Sequence, residues 1–277
     1  MDNRPIGFFD SGLGGLTCIP YLLQALPHER IVYFGDTART PYGSKAPATI
    51  RKFASEITDF LIETQGVKMV AIACNTVSAV ALEELRRRHP DMPILGIIAP
   101  ASNAIAKTCA PENRIGVIGT KATIASDVYP NKILALNPWL TIRQQACPAL
   151  VPLIEEGITQ SDIIDLTIKY YLDCFLKENQ IDTLVLGCTH YPLIRENIMR
   201  LYPALRIVDP SEEMLMNVTD ALEQYDLVAN KQNPDHIFYA SDLSENFINM
   251  IDLIFSETGY PVTFKTFDLE TFFERKR

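Results

Sequence analysis

Two cysteines stand out by what precedes and follows them. Cys74 ends the apolar run VKMVAIA and is followed by Asn75-Thr76. Cys188 ends IDTLVLG and is followed by Thr189-His190. A lone cysteine after a buried strand is most often a small apolar filler. Here both end such a run and open the segment read as the next helix, where the dipole favours thiolate. A thiol, with an ordinary pKa of about 8.5, serves as acid or base after modest tuning. Two such thiols on opposite faces of a small ligand suit a nearly symmetric reaction: one takes the Cα proton, the other returns a proton to the opposite face. That is the chemistry of a racemase.

Further polar groups fall where such a reaction needs them. Asp10-Ser11-Gly12 follows the first apolar run, and Gly119-Thr120 follows a similar run later in the chain. Asp10 reads either as a helix cap or as a tuner of Cys74. His190 reads either as a packed histidine or as a tuner of Cys188. The glycines of DSGLGG permit a tight turn or a close approach to an anion, but match neither GxGxxG nor a Walker motif. No lysine stands out as a Schiff-base residue, so we expect no cofactor. Charge developing on a substrate carboxylate must then be met by neutral donors, for which Ser11, Asn75, Thr76, Thr120, Thr123 and Thr189 are the candidates. No CxxC pair and no HxxxH pair occurs among six cysteines and four histidines, so no metal is expected.

Something must bring Cys74 and Cys188 face to face. Short apolar runs alternate with helical stretches, the pattern of an α/β fold with mainly parallel sheets. Strands are expected at Ile6–Phe9, Ile31–Phe34, Val67–Ala73, Ile94–Ile98, Ile115–Ile118, Leu140–Gln144, Ile181–Leu186 and Leu205–Val208. Helices are expected at Thr49–Glu63, Val77–Arg88 and Ser161–Lys177. The second set of strands resembles the first. IGFFDSG lies on IGVIGTK, VKMVAIACNT on IDTLVLGCTH, and PILGIIAP on ALRIVDP, all in the same order, which points to an internal duplication. The fold class is therefore α/β, with two pseudo-symmetric domains and the active site in the cleft between them. The expected division is residues 1–98 with 212–277, and residues 99–211. A helix near Ser211–Tyr225, a strand near His236–Ala240 and a helix near Asn246–Ser256 complete a tail expected to return to the first domain.

Composition narrows the field. A 47% hydrophobic and 21% charged chain of 277 residues supports a full core. No apolar run nears the roughly 20 residues that cross a bilayer, and nothing reads as a secretory signal, so a cytoplasmic protein with free thiols is expected. The net charge is −9, and the one basic run, Arg86-Arg87-Arg88, reads as the wet face of a helix end. Without a basic stripe, nucleic acid is not the expected ligand.

The motifs DSGLGG, TPYG (40–43), ACNT (73–76), GTKAT (119–123), CPALVPLIEEG (147–157) and LGCTHYP (186–192), in that order, resemble the glutamate racemases of the aspartate/glutamate racemase family. The resemblance implies interconversion of L- and D-glutamate without cofactor, with D-glutamate supplied to peptidoglycan. It implies that Cys74 exchanges the proton of D-glutamate and Cys188 that of L-glutamate, with Asp10 and His190 assisting. It places Ser11, Tyr42, Gly43, Asn75, Thr76 and Thr189 against the substrate, Glu155 near it, and a homodimer as the assembly. The residues leave open an aspartate racemase with the same thiols or a non-catalytic amino-acid-binding module, and the resemblance adds an interaction role such as binding gyrase.

Overall fold

The computed structural model describes residues 1–230, 235–255 and 264–274. Among these, ten strands form two sheets, and every strand pair is parallel. The first sheet holds β1 (Ile6–Asp10), β2 (Ile31–Gly35), β3 (Met69–Ile72), β4 (Ile94–Gly96), β9 (Ile237–Ala240) and β10 (Phe264–Thr266), in the order β10-β9-β2-β1-β3-β4. The second holds β5 (Arg114–Gly119), β6 (Thr141–Ala146), β7 (Thr183–Gly187) and β8 (Arg206–Val208), in the order β6-β5-β7-β8. The order β2-β1-β3-β4 and the order β6-β5-β7-β8 are the same topology, so the duplication read from the sequence is present in space. Register agrees as well: Ile6 pairs with Met69 and Ile115 with Thr183, the partners that the sequence offsets demand.

Near-continuous apolar strands are what a sheet covered on both faces requires. Along the first sheet, Phe9, Val32, Phe34, Val70 and Ile72 face one core together with Ile57 and Phe60. Ile6, Phe8, Ile31, Tyr33, Met69 and Ala71 face a second core, which runs through Leu16, Ile97 and Ala101 into Ile115, Val117 and Leu184 of the other sheet. The two lobes are thus joined by one continuous apolar seam, with the polar strand ends left to form the cleft.

Several boundaries differ from those expected. Ile98 leaves the strand and begins a helix, Ile98–Thr108, because Ile98, Ala101 and Ile105 recur at helical spacing and fill the shared core. The segment expected as one helix, Val77–Arg88, is two, Asn75–Val80 and Leu82–Arg88, broken at Ala81. Arg86, Arg87 and Arg88 are exposed at the end of the second, where cations suit the helix dipole. The tail strand pairs with β2 and thereby widens the first sheet. The tail helix spans Glu245–Phe255; Ser256 lies outside the described residues. β10 was not foreseen, since three residues carry no usable periodicity.

A buried ion pair ties the tail to the first lobe. Lys68 Nζ lies 2.6 Å from Glu29 Oε2, with both side chains nearly inaccessible. Lys68 also donates to the carbonyls of Asp2 and Leu227, while Glu29 accepts from the Ala229 N–H. Removing one member strands a buried charge, a change that costs about 3–5 kcal/mol. Lys68→Met is therefore expected to lower the stability measured by urea denaturation by that amount. A loss below about 1 kcal/mol would mean that the remaining carboxylate finds water.

Candidate active site

The loops at the carboxyl ends of β1, β3, β5 and β7 converge, which is where open parallel sheets bind ligands. Ala73 and Cys74 follow β3, and Cys74 caps the helix Asn75–Val80, its sulfur accepting from the Val77 N–H at 3.5 Å. Thr120 occupies the same kind of position after β5, capping Lys121–Ala125 through the Thr123 N–H. Cys188 and Thr189 follow β7 directly. The segment after Cys188 is a short 3₁₀ turn, Tyr191–Ile194, not the α-helix expected there.

These loops enclose one cavity with about 280 Å³ between its walls, of which about 10 Å³ can take the centre of a water molecule. Ser11, Tyr42, Gly43, Cys74, Asn75, Thr76, Thr120, Cys188, Thr189 and His190 line it, so both thiols open onto the same space. Asp10, Thr123 and Glu155 stand one layer behind, each hydrogen-bonded to a residue of the wall. Thr40, Pro41 and Val151 also line the cavity and were not singled out from the sequence. The first two belong to the TPYG motif, whereas nothing about Val151 sets it apart from any core valine. Larger hollows beside Arg51 and Arg88 and beside Lys45 and Lys121 contain neither thiol.

Each thiol has its own surroundings. Cys74 donates to the Ser11 hydroxyl at 3.4 Å. Burial, with the charge of Asp10 adding to it, pushes its pKa up to about 12. The expected pull of the helix terminus toward thiolate is therefore overcome by desolvation, and Cys74 is held as a thiol. Cys188 Sγ lies 3.7 Å from His190 Nδ1, and His190 Nε2 lies 3.1 Å from Glu155 Oε1. Burial opposes charge on His190, but Cys188 and Glu155 outweigh it and raise the imidazole well above its ordinary value. Glu155 is lowered correspondingly: burial works against it, and the His190 hydrogen bond and charge prevail, with Thr40 donating from 3.1 Å. Sulfur, imidazole and carboxylate thus form a chain on the Cys188 side only.

Asp10 is fully buried and hydrogen-bonds to the Gly12 N–H and to the Thr189 hydroxyl across the cleft. Asp10 thus closes the turn after β1 and does not cap the helix that follows, whose N-cap, Leu13, carries no side-chain bond; it makes no hydrogen bond to Cys74. Burial lifts its pKa, against the His190 charge and the N–H groups of Gly12 and Gly15. Tyr42 is fixed by Asp36, which accepts from its hydroxyl and from Arg39 Nε. Gly43 packs so close to Thr120 that a side chain at 43 would collide with it. Three threonine hydroxyls, Thr76 from one lobe and Thr120 and Thr123 from the other, bond to each other at 2.9–3.3 Å.

Residues 17–216 match the model of the Asp/Glu/hydantoin racemases. The chain belongs to that family. Within it, the glutamate racemase of Streptococcus sanguinis is 42% identical over 250 residues, 89% of this chain and 93% of that protein. That of Neisseria meningitidis is 44% identical over 246 residues, 88% and 90% of the two chains. The crystal structure of glutamate racemase from Francisella tularensis in complex with D-glutamate superposes with a TM-score of 0.90 at 36% identity, covering 98% of this chain and all of that one.

Proposed function

We propose that this protein is a cofactor-independent glutamate racemase in which Cys74 and Cys188 transfer protons on opposite faces of the substrate Cα. The observation that carries this reading is the pair of thiols, equivalent in the duplicated topology, on the wall of one cavity. The likeness to glutamate racemases over nearly the whole chain supports glutamate as the substrate.

In this reading Cys188 takes the Cα proton of L-glutamate while the Cys74 thiol delivers its own proton to the other face. D-glutamate reacts by the reverse exchange. His190 receives and returns the proton of Cys188, and Glu155 fixes the ring. Asp10 assists Cys74. As the Cα–H breaks, charge moves onto the α-carboxylate, where preorganised donors act most strongly. The side-chain N–H₂ of Asn75 suits that role, being buried on the cavity wall and without a hydrogen-bond partner. Ser11, Thr76 and Thr120 add hydroxyls, Thr189 lines the wall with its O–H given to Asp10, and Tyr42-Gly43 also line the cavity. Thr123 orients the hydroxyls of Thr76 and Thr120. The domain division at residues 98/99 and 211/212, a homodimeric assembly, a cytoplasmic location and a role in supplying D-glutamate to peptidoglycan belong to the same proposal. Among the described residues no helix is long and apolar enough to cross a membrane.

Proton exchange by NMR in D₂O tests the reading. With L-glutamate, Cα deuteration together with loss of optical rotation is expected, and L-aspartate is expected to remain unchanged. Exchange of aspartate alone would keep the chemistry and overturn the substrate. No exchange of either by a folded protein would overturn the racemase and leave a binding module.

A further inference from the structure

We propose that Tyr129 is a positioning residue whose hydroxyl turns the Asn75 amide so that its N–H₂ faces the substrate carboxylate. The inference rests on the racemase reading for the identity of that carboxylate, but its geometry stands apart from it. Tyr129 lies on the helix Val128–Leu136 of the second lobe and is fully buried. Its hydroxyl donates to Asn75 Oδ1 at 2.7 Å, reaching across the cleft to the first lobe. The other end of that amide, Nδ2, has no partner and is buried on the wall that also holds both thiols.

An amide can sit either way round, and the flipped way leaves one more group unsatisfied here. As found, the phenol donates to Oδ1 and one N–H₂ is left for a ligand. Flipped, the N–H₂ would spend a proton on the phenol oxygen, the phenol O–H would have no acceptor, and a bare carbonyl would face an incoming carboxylate. The first arrangement is favoured without ligand and still more with an anion present. The ring itself is seated by a glycine. A Cβ on Gly187, the residue before Cys188, would clash with the Ile118 carbonyl oxygen at 2.6 Å and press on the Tyr129 ring edge at 3.3 Å. Because Tyr129 and Asn75 come from different lobes, the donor is set for its carboxylate when the lobes are together.

Tyr129→Phe removes the hydroxyl and keeps the ring. Asn75 is then free to turn, and kcat/KM for both enantiomers is expected to fall roughly 10- to 100-fold, the range for a hydrogen bond to a charged group. In an Asn75→Ala background the same substitution is expected to change kcat/KM by less than about twofold, since the two residues act as one unit. Full activity of Tyr129→Phe, or an equal loss in both backgrounds, would overturn the proposal. The Asn75 side-chain amide resonances give a readout that needs no turnover. They are expected to shift or split in Tyr129→Phe, and unchanged resonances would overturn the positioning role. In the unmodified protein, a strong cross-peak from the amide N–H₂ to the Tyr129 hydroxyl proton would also overturn it, and its absence is expected. A wild-type protein that fails to exchange glutamate would count against the racemase reading alone.

Discussion

Alanine at Cys74 or at Cys188 is expected to reduce racemisation of glutamate by at least about 10³-fold, roughly 4 kcal/mol of transition-state stabilisation. The two variants are expected to differ in what survives. With Cys74 replaced, the Cys188–His190–Glu155 chain is intact, so L-glutamate still exchanges its Cα proton with solvent, slowly and without inversion. With Cys188 replaced, residual exchange falls on D-glutamate, and more slowly, because burial holds Cys74 in its thiol form up to about 12. The measurement is chiral chromatography of each enantiomer after incubation in D₂O, with mass detection of the label. Inversion by either single variant at the wild-type rate would end the two-thiol mechanism. Label retained in both enantiomers alike by one variant would end the facial assignment.

His190→Asn is expected to lower kcat about 10²-fold, the usual contribution of a positioned acid–base group, with a smaller change in KM. A change confined to KM would make the imidazole a binding group. The substitution also has a signature in stability. His190 is raised above 6.5, so its contribution is complete below that pH and is lost as pH rises through its folded-state value. Glu155 is lowered from 4.5, so its contribution is present above that value and is lost as pH falls through its folded-state value. Both directions stabilise the pair in the window between about pH 4.5 and 6.5. There the wild type is expected to exceed the variant most in melting temperature, and the gap should narrow as pH rises. A gap that widens with alkali would show that His190 folds as the neutral ring.

Much of this site was legible because it sits on the regular part of the fold. Cys74 and Cys188 could be paired by laying VKMVAIACNT on IDTLVLGCTH, and β3 and β7 occupy equivalent places in their sheets. The same logic found Asp10, Thr120 and Thr189 at strand ends. What it could not find was anything reached by packing alone. Val151 lines the cavity through its place on a helix face, and Tyr129 reaches Asn75 across the cleft. Glu155 and Tyr42 entered only through resemblance, since a carboxylate near a histidine and a tyrosine near a proline have no spacing that marks them. The thiolate expectation for Cys74 failed for a related reason: a helix terminus can be read along the chain, whereas desolvation depends on everything that folds over the sulfur. β10 and the break at Ala81 were missed because three-residue strands and a single loosened turn fall below the period of any pattern.

The small free volume of the cavity gives this protein a memory. In the proposed two-thiol mechanism, a turnover that begins with the proton on Cys74 ends with a proton on Cys188, so the molecule that releases D-glutamate is not the one that bound L-glutamate. Only about 10 Å³ of the cavity can take a water, so Cys74, with the Ser11 hydroxyl beside it, has little to trade its proton with, whereas Cys188 has His190 and Glu155. Resetting of the Cys74 side is thereby left mainly to the interval between ligands. When substrate is abundant that interval shortens, and a molecule still in its post-turnover form accepts the enantiomer it has just made. The ceiling on net flux then lies in how quickly an empty protein forgets its last substrate.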